Sequence, residues 1–234
     1  MDFADIKIPQ GSFKISPGHN KISLLVAGGR KPQNTWLQNI KAENYVYAVD
    51  KGLDYCLEAG FFPNELYGDR DSAKAENWLK AEKEVIVCKA FPPAKDDTDL
   101  QLLLKDLPGK QILIATGIWG GRADHLYANI FSLLAYKQEK KAQVVLADQQ
   151  EVMILLETGE EASFIFKNKP LAISLLPFED SNNVSITGVK WPLAKDILRK
   201  NKPYAISNEL LDNIVTVGCH SGCIGFYINF ESGD

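Results

Sequence analysis

The segment Ile22-Ser-Leu-Leu-Val-Ala27, which runs into Gly28-Gly29-Arg30, decides the fold class. A short apolar run that ends at glycine is typical of a parallel strand buried on both faces. Further runs of this kind are predicted at 45–49, 66–67, 85–88, 112–115 and 144–147. Helices are predicted between them at 36–40, 53–59, 73–80, 100–107 and 123–136. Strands that alternate with helices predict an α/β domain with a mainly parallel sheet over residues 1–147.

The pattern changes after this domain, and residues 148–234 are predicted to form an all-β sandwich. Short apolar runs there are separated by turn clusters such as Thr158-Gly159 and Ser181-Asn182-Asn183. The predicted strands are 152–156, 163–166, 171–176, 184–186, 214–217 and 224–230. One helix is predicted at 194–200, and residues 1–20 are predicted to be an irregular lead-in with room for a short strand or two.

Composition limits the function classes. The chain has 26 basic and 30 acidic side chains and a formal charge of −4, which argues against a broad nucleic-acid surface. We expect no membrane partner, since no stretch approaches the ~18 apolar residues of a membrane span. The amino-terminal end has no secretory signal pattern, so a cytoplasmic location is predicted. The four cysteines are too sparse for a disulfide framework.

Acidic residues follow several predicted strands, where ligands bind in parallel α/β sheets. The acids are Asp50, Asp69, Asp71, Asp97 and Asp99. Carboxylates gathered on one edge repel each other unless a cation lies among them, and Mg²⁺ prefers such oxygen ligands together with phosphate oxygens. The alternative is helix capping, by Asp71 or Ser72 for one helix and by Asp96 or Asp97 for another. Because one cap per helix is sufficient, capping leaves most of the set unexplained, and a metal–phosphate site is favoured.

The segment Gly120-Gly121-Arg122-Ala123-Asp124-His125 is a second candidate for phosphate binding. Glycines before a helix let a ligand approach the backbone, and Arg122 offers a planar fork for phosphate oxygens. Asp124 would orient Arg122 or cap the helix, and His125 would bond to phosphate or nucleotide. The segment Gly28-Gly29-Arg30 is interpreted in the same way, as a candidate for phosphate binding. Neither a GxGxxG nor a Walker A motif is present, so a dinucleotide fold and a P-loop enzyme are not supported.

The β-rich part offers fewer candidates. Taken alone, Ser207-Asn208 is an ordinary polar turn pair, and Trp191 is either a packing residue or part of a ligand site. The segment Cys219-His220-Ser221-Gly222-Cys223 offers only three local metal ligands and is interpreted as a turn with two ordinary thiols.

Taken in order, these segments resemble the thiamine pyrophosphokinase (thiamine diphosphokinase) family over nearly the whole chain after residue 22. The matching parts are Ala48-Val49-Asp50-Lys51-Gly52, Gly68-Asp69-Arg70-Asp71-Ser72, Asp97-Thr98-Asp99, Gly120-Gly121-Arg122-Ala123-Asp124-His125, Gly188-Val189-Lys190-Trp191 and Ile206-Ser207-Asn208. The resemblance implies an α/β domain followed by a β-sandwich, acting as a homodimer that transfers the diphosphate of the co-substrate ATP to the hydroxyl of thiamine and releases AMP.

The resemblance also implies residue roles. Asp69, Asp71 and Asp99 would hold Mg²⁺ and form the catalytic centre, and Asp50 would line it. The ATP-binding residues would be Gly28, Asp50, Gly121, Arg122, Asp124 and His125. The thiamine pocket would use Trp191, Ser207 and Asn208. Arg122, with Lys95 as a second candidate, would stabilise phosphate oxygens, and either Asp71 or Asp99 would accept the alcohol proton.

Two residues depart from the family pattern. Lys51 stands where the family usually has Gly, and Arg70 stands where it usually has Phe. Both add positive charge beside the acids and would either contact phosphate or face away. Two other functions remain open at this point: a diphosphokinase for another heterocyclic alcohol such as a pterin, and a sensor that binds nucleotide or thiamine without turnover.

Overall fold

The structure, a computed structural model, describes residues 4–41, 44–84, 87–92, 96–202 and 204–231. It begins with strands β1 (Ala4–Ile8) and β2 (Gly11–Ser16). Alternating elements follow: β3 (Ile22–Val26), α1 (Asn34–Lys41), β4 (Tyr45–Val49), α2 (Gly52–Glu58), β5 (Glu65–Gly68), α3 (Ala75–Glu84), β6 (Val87–Ala90), α4 (Asp99–Asp106), β7 (Ile112–Thr116), α5 (Ala123–Lys140) and β8 (Gln143–Ala147). The later strands are β9 (Glu151–Glu157), β10 (Glu160–Phe166), β11 (Ala172–Pro177), β12 (Ser181–Thr187), β13 (Leu193–Leu198), β14 (Ile214–Ser221) and β15 (Cys223–Asn229).

The chain forms two compact units, and residues 21–148 make up the α/β unit. Its strands pair in the order β8-β7-β3-β4-β5-β6, and each of these neighbouring pairs is parallel. Leu24, Leu25 and Ile114 are essentially inaccessible to solvent, as expected for a parallel sheet with both faces covered. The predicted α/β domain with a mainly parallel sheet is confirmed, and all the strand ends that carry the candidate acids belong to this unit.

Residues 149–231 form the β-rich unit together with residues 4–20. One antiparallel sheet has the order β1-β2-β10-β14-β12-β13, and β11, β15 and β9 pair antiparallel beside one another. Strand β9 contacts β10 and β14, so the two layers pack face to face around buried aromatic side chains. Phe164 of β10 and Phe230, which directly follows β15, for example, have ring centroids 6.2 Å apart. The predicted β-sandwich is confirmed.

Residues 4–20, which were predicted to be a lead-in to the α/β domain, instead form strands of the β-rich unit. Strand β2 pairs with β10, and Phe13 lies opposite Phe164 in the register. The first described residues therefore complete the β-rich unit, whereas the predicted boundary placed them with residues 21–147. Local sequence does not carry this information, because the partner strand lies about 150 residues away along the chain.

The predicted helix at 194–200 is wrong, because this segment contains β13. Leu193 and Leu198 pair with Ile186 and Ser181 of β12, and the register is irregular between them. Lys195 has a φ of 60°, which a continuous α-helix does not allow. Alanine, leucine and lysine favour a helix locally, but hydrogen bonding to the neighbouring strand overrides that weak preference.

Candidate functional site

Three acids converge at the carboxyl edge of the parallel sheet. Asp50 follows β4, Asp69 follows β5, and Asp99 is the first residue of α4. One carboxylate oxygen from each of the three lies within 4.8 Å of the other two. Asp99 is only 6% exposed, and Asp50 and Asp69 are half-buried. We call this group the three-carboxylate cluster; it has the oxygen donors that a hard divalent cation requires.

Two residues of the acidic motifs, Asp50 and Arg70, have unusual backbone conformations. Asp50 has a φ of 54° and its N–H donates to the carbonyl of Tyr67 at 2.9 Å, which fixes the end of β4 against β5. A Cβ on Gly68 would lie 2.7 Å from Asp50 Oδ1, so the Asp50 carboxylate occupies the space that a side chain at 68 would need. Arg70, inside the acidic turn, has a φ of 72°. Non-glycine residues in this region are strained, and such strain concentrates at functional sites.

Asp71 lies beside Asp69 and is exposed to solvent. Its N–H donates to Asp69 Oδ1 at 3.2 Å, and the Ser72 hydroxyl donates to Asp71 Oδ1 at 2.8 Å. A side-chain hydrogen bond with Asp71, burial, and the nearby charges of Asp71 and Asp99 raise the pKa of Asp69. The acidic turn therefore holds concentrated negative charge that a bound cation would relieve.

Other residues cap the helices that follow the acids. At α4 the cap is Thr98: its hydroxyl accepts from the Gln101 N–H at 3.2 Å, and the Gln101 side chain accepts from the Thr98 N–H at 2.9 Å. Asp97 is turned toward Lys105, whose ammonium donates to it at 2.6 Å. Capping by Asp96 or Asp97 is therefore wrong for α4, and it does not account for the position of Asp99.

Asp54 serves the start of the preceding helix, α3. Its buried carboxylate accepts from the Lys74 N–H at 3.2 Å and from the Asn77 side chain at 2.7 Å. This acid was not singled out from sequence, because its position inside α2 resembles any helical acid. The Asp54 carboxylate therefore supplies a hydrogen-bond acceptor at the start of α3. The sequence analysis had considered Asp71 or Ser72 for this capping role.

The two glycine-rich segments are joined to each other. The N–H of Gly29 donates to the carbonyl of Gly117 at 2.6 Å, and that of Arg30 donates to the carbonyl of Trp119 at 2.5 Å. A Cβ on Gly29 would lie 2.4 Å from the Gly117 oxygen, so only glycine permits this approach. Gly28, the predicted ligand residue, has Lys51 as its nearest neighbour: a Cβ at 28 would lie 3.2 Å from the Lys51 Cβ.

Arg30 makes a partly buried ion pair that sequence reasoning missed. Its Nε and Nη2 lie 2.8 Å and 2.6 Å from Asp148 Oδ2, and the Asp148 side chain is fully buried. The one available signal was position, since Asp148 directly follows β8 at the same edge of the sheet. This contact anchors Arg30 to the end of β8.

Arg122, Asp124 and His125 lie exposed at the start of α5. Arg122 Nε and Nη2 are 3.1 Å and 2.5 Å from the Asp124 carboxylate, which also accepts from the His125 N–H at 2.9 Å. Hydrogen bonding to Arg122 lowers the pKa of Asp124. Asp124 therefore both orients Arg122 and accepts from the first turn of the helix. Gly121, with a φ of 69°, has open space where a Cβ would be.

Trp191, Ser207 and Asn208 lie together in the β-rich unit. The Asn208 side chain accepts from the Trp191 N–H at 3.1 Å and donates to the Trp191 carbonyl at 2.7 Å. The indole of Trp191 is 54% exposed, and the Lys190 ammonium lies 4.6 Å from a ring centroid. Ser207 has a φ of 58°, and its N–H donates to the Ser174 hydroxyl at 3.0 Å. Asn208 therefore fixes the backbone of an exposed aromatic residue, Trp191.

The remaining candidates have simple outcomes. The four cysteines, all within the described residues, form no disulfide, and burial raises the pKa of Cys219 to about 11. Lys95 lies outside the described residues. Among the helices that the structure describes, none combines the length and apolar character needed to cross a bilayer.

Comparison with known proteins gives a consistent result in both units. The profile "Thiamin pyrophosphokinase, catalytic domain" matches residues 36–146, and "Thiamin pyrophosphokinase, vitamin B1 binding domain" matches residues 166–224. A thiamine pyrophosphokinase from Bacillus subtilis is 35% identical over 205 residues, covering 86% of this chain and 94% of that protein.

Solved structures of thiamine pyrophosphokinases are also similar to this chain. A crystal structure of thiamine pyrophosphokinase from Bacillus subtilis matches with a TM-score of 0.76 and 30% identity, covering 90% of this chain and 100% of the other. One from Geobacillus thermodenitrificans matches with a TM-score of 0.73 and 26% identity, covering 91% and 99%. With both domain profiles matched in order and a 35% identical relative covered almost end to end, the chain belongs to the thiamine pyrophosphokinase family.

Proposed function

We propose that this protein is a thiamine diphosphokinase, which transfers the diphosphate of ATP to the hydroxyl of thiamine and yields thiamine diphosphate and AMP. The observation that carries the proposal is the three-carboxylate cluster at the sheet edge, within a chain that matches both the catalytic and the vitamin B1 binding profiles. The match to the vitamin B1 binding profile disfavours a pterin as the alcohol. The retained cluster disfavours a sensor, which has no need of so many acids.

Mg²⁺ fits the donors that are present. Asp50, Asp69 and Asp99 would hold the ion, since their oxygens lie within 4.8 Å of one another, and Asp71 would support it from beside Asp69. In this proposal Asp50 joins Asp69 and Asp99 as a ligand, whereas the family resemblance implies Asp71 as the third ligand. When bound, Mg²⁺ supplies positive charge that offsets the charge of the carboxylates and of the phosphate oxygens.

The remaining residues bind and orient the substrates. Arg122, already positioned by Asp124, offers its fork to the phosphates of ATP, and Gly121 leaves the backbone open to them. The thiamine hydroxyl oxygen bonds to the β-phosphorus while the bond from that phosphorus to the α,β-bridging oxygen breaks, so AMP leaves. Asp71 is exposed whereas Asp99 is buried, so we assign the alcohol proton to Asp71.

Thiamine binding is assigned to Trp191, Ser207 and Asn208. Thiamine carries a cationic thiazolium ring, and the exposed face of an indole attracts such cations. We also propose a homodimer and a cytoplasmic location, as the family resemblance implies. Exposed apolar side chains of the β-rich unit support an association surface; they include Leu171, Ile206 and Leu211, which are 60%, 54% and 69% exposed.

The function is tested by incubating the protein with ATP and Mg²⁺, with and without thiamine, and measuring AMP. We expect AMP only with thiamine, in amounts equal to thiamine diphosphate. Formation of ADP, AMP that depends on a pterin alcohol, or thiamine binding without AMP would each overturn the proposal.

A matched pair of variants tests the site. We expect Asp99→Asn to lower the rate by about 100-fold or more, because it removes a charge from the cluster. Asp97→Asn removes a charge of the same kind two residues away, but Asp97 pairs with Lys105, so this variant should remain active. Equal rates for the two variants would contradict the assigned site.

A further inference from the structure

Two basic residues lie within the acidic motifs, and the structure places them differently. The Arg70 guanidinium pairs with Glu82 and lies 5.8 Å from the ring of Trp78. The Trp78 indole N–H donates to the same Glu82 carboxylate at 3.2 Å. Arg70 is thus held against α3 by two side chains of that helix.

Lys51 has no comparable partner. It directly follows Asp50, its side chain is exposed, and its φ of −59° and ψ of −15° are ordinary. Its ammonium lies 5.9 Å from the ring of Tyr55. Among the described residues, no carboxylate forms an ion pair with this ammonium, although the motif around it is rich in acids.

The position of the Lys51 stem points to the nucleotide edge. A Cβ on Gly28 would lie 3.2 Å from the Lys51 Cβ, so the stem leaves the backbone beside the Gly28-Gly29 turn. Tyr55, beneath the ammonium, donates its hydroxyl hydrogen to the Gly29 carbonyl at 2.8 Å. Lys51 therefore lies between the turn that follows β3 and the acid that follows β4.

We propose that Lys51 is a specificity-determining residue that binds a phosphate of the nucleotide and favours triphosphate over monophosphate. The inference rests on the proposed use of ATP. A polyphosphate that approaches three clustered carboxylates is repelled by them, and a flexible, exposed ammonium next to Asp50 offsets part of that repulsion. Because Lys51 has no carboxylate to give up, binding a phosphate costs it no existing ion pair. The benefit grows with the charge of the nucleotide, so it is greater for ATP than for AMP.

The test is calorimetric titration of Lys51→Ala with ATP and with AMP, in Mg²⁺ and without thiamine. We expect ATP affinity to fall about tenfold, as for loss of one hydrogen bond to a charged group, and AMP affinity to change less than about twofold. Lys51→Arg should recover most of the ATP affinity. In turnover, KM for ATP should rise while kcat changes little. Added salt should narrow the difference between the wild-type protein and Lys51→Ala.

Lys74→Ala is the matched control. It also removes one exposed lysine near the acidic turn, but the Lys74 ammonium lies 3.6 Å from Glu58, so ATP affinity should be unchanged. Equal ATP affinity in Lys51→Ala and Lys74→Ala would overturn the inference about Lys51. Absence of thiamine-dependent AMP from the wild-type protein would instead overturn the proposed function, so the two failures are distinguishable.

Discussion

Replacing Asp69 with Asn should stabilise the protein when no divalent cation is present. One carboxylate oxygen from each of Asp50, Asp69 and Asp99 lies within 4.8 Å of the other two. Two unit charges at that separation repel by about 0.9 kcal/mol in water and about 3.5 kcal/mol at an effective dielectric constant of 20. Asp69 is half-buried and screened by solvent, so we expect a gain near the lower end, about 1–2 kcal/mol.

Thermal unfolding with a chelator, and then with rising Mg²⁺, measures this effect. For a chain of this size, 1 kcal/mol corresponds to about 2–4 °C in Tm. In the wild-type protein the Asp71 N–H donates to Asp69 Oδ1 at 3.2 Å. Asparagine retains an oxygen that can accept this hydrogen bond, so the turn should keep its shape. Mg²⁺ should raise the Tm of the wild-type protein more than that of Asp69→Asn.

Asp97→Asn is the control, since it removes a carboxylate that is paired with Lys105 and should not raise the Tm. A Tm for Asp69→Asn below that of the wild-type protein in chelator would contradict the expected repulsion among the carboxylates. Equal stabilisation of both proteins by Mg²⁺ would contradict it as well.

Three further outcomes are expected. Hydrogen bonding to Lys89 lowers the pKa of Asp106, so this pair stabilises the fold above the ordinary Asp pKa, and the stability is lost as pH falls through the lowered pKa. Urea unfolding should show Asp106→Asn less stable than the wild-type protein by at most about 1 kcal/mol at neutral pH, and this difference should shrink as the pH is lowered below the ordinary Asp pKa. Gly52→Ala should prevent folding, measured as loss of soluble protein, because its Cβ would lie 2.0 Å from the carbonyl oxygen of the last residue of β3. Asn208→Ala should raise KM for thiamine and leave KM for ATP unchanged, because both side-chain hydrogen bonds to the Trp191 backbone are lost.

The convergence of the acids could be predicted from sequence because it follows from topology. Parallel strands that alternate with helices bring their carboxyl ends to one edge, so residues far apart in the chain must meet there. Which oxygens meet most closely could not be predicted. Asp50, whose φ is 54°, places its carboxylate in the cluster. Arg70, whose φ is 72°, places its guanidinium beside Glu82. Such conformations depend on packing around Gly68 and Trp78 rather than on local preference.

Other differences have equally specific causes. Pairing of β2 with β10 and of β13 with β12 depends on partners that the local sequence does not reveal. The capping role of Thr98, in contrast, could have been predicted, because Thr98 and Gln101 have the spacing of a capping box. With Thr98 identified as the cap, Asp97 would no longer have been a capping candidate. Asp99 joins the three-carboxylate cluster, whereas Asp97 pairs with Lys105.

The rate of thiamine-dependent AMP formation at rising Mg²⁺, measured for the wild-type protein and for Asp50→Asn, tests the three-carboxylate cluster as the Mg²⁺ site. Asparagine tolerates a positive φ about as well as aspartate, so this variant should change the charge at position 50 and not the backbone. We expect no AMP without Mg²⁺, and a rate at least about 100-fold lower for Asp50→Asn at the Mg²⁺ concentration that saturates the wild-type protein. A wild-type rate and an unchanged Mg²⁺ dependence in Asp50→Asn would contradict a role for Asp50 in holding Mg²⁺.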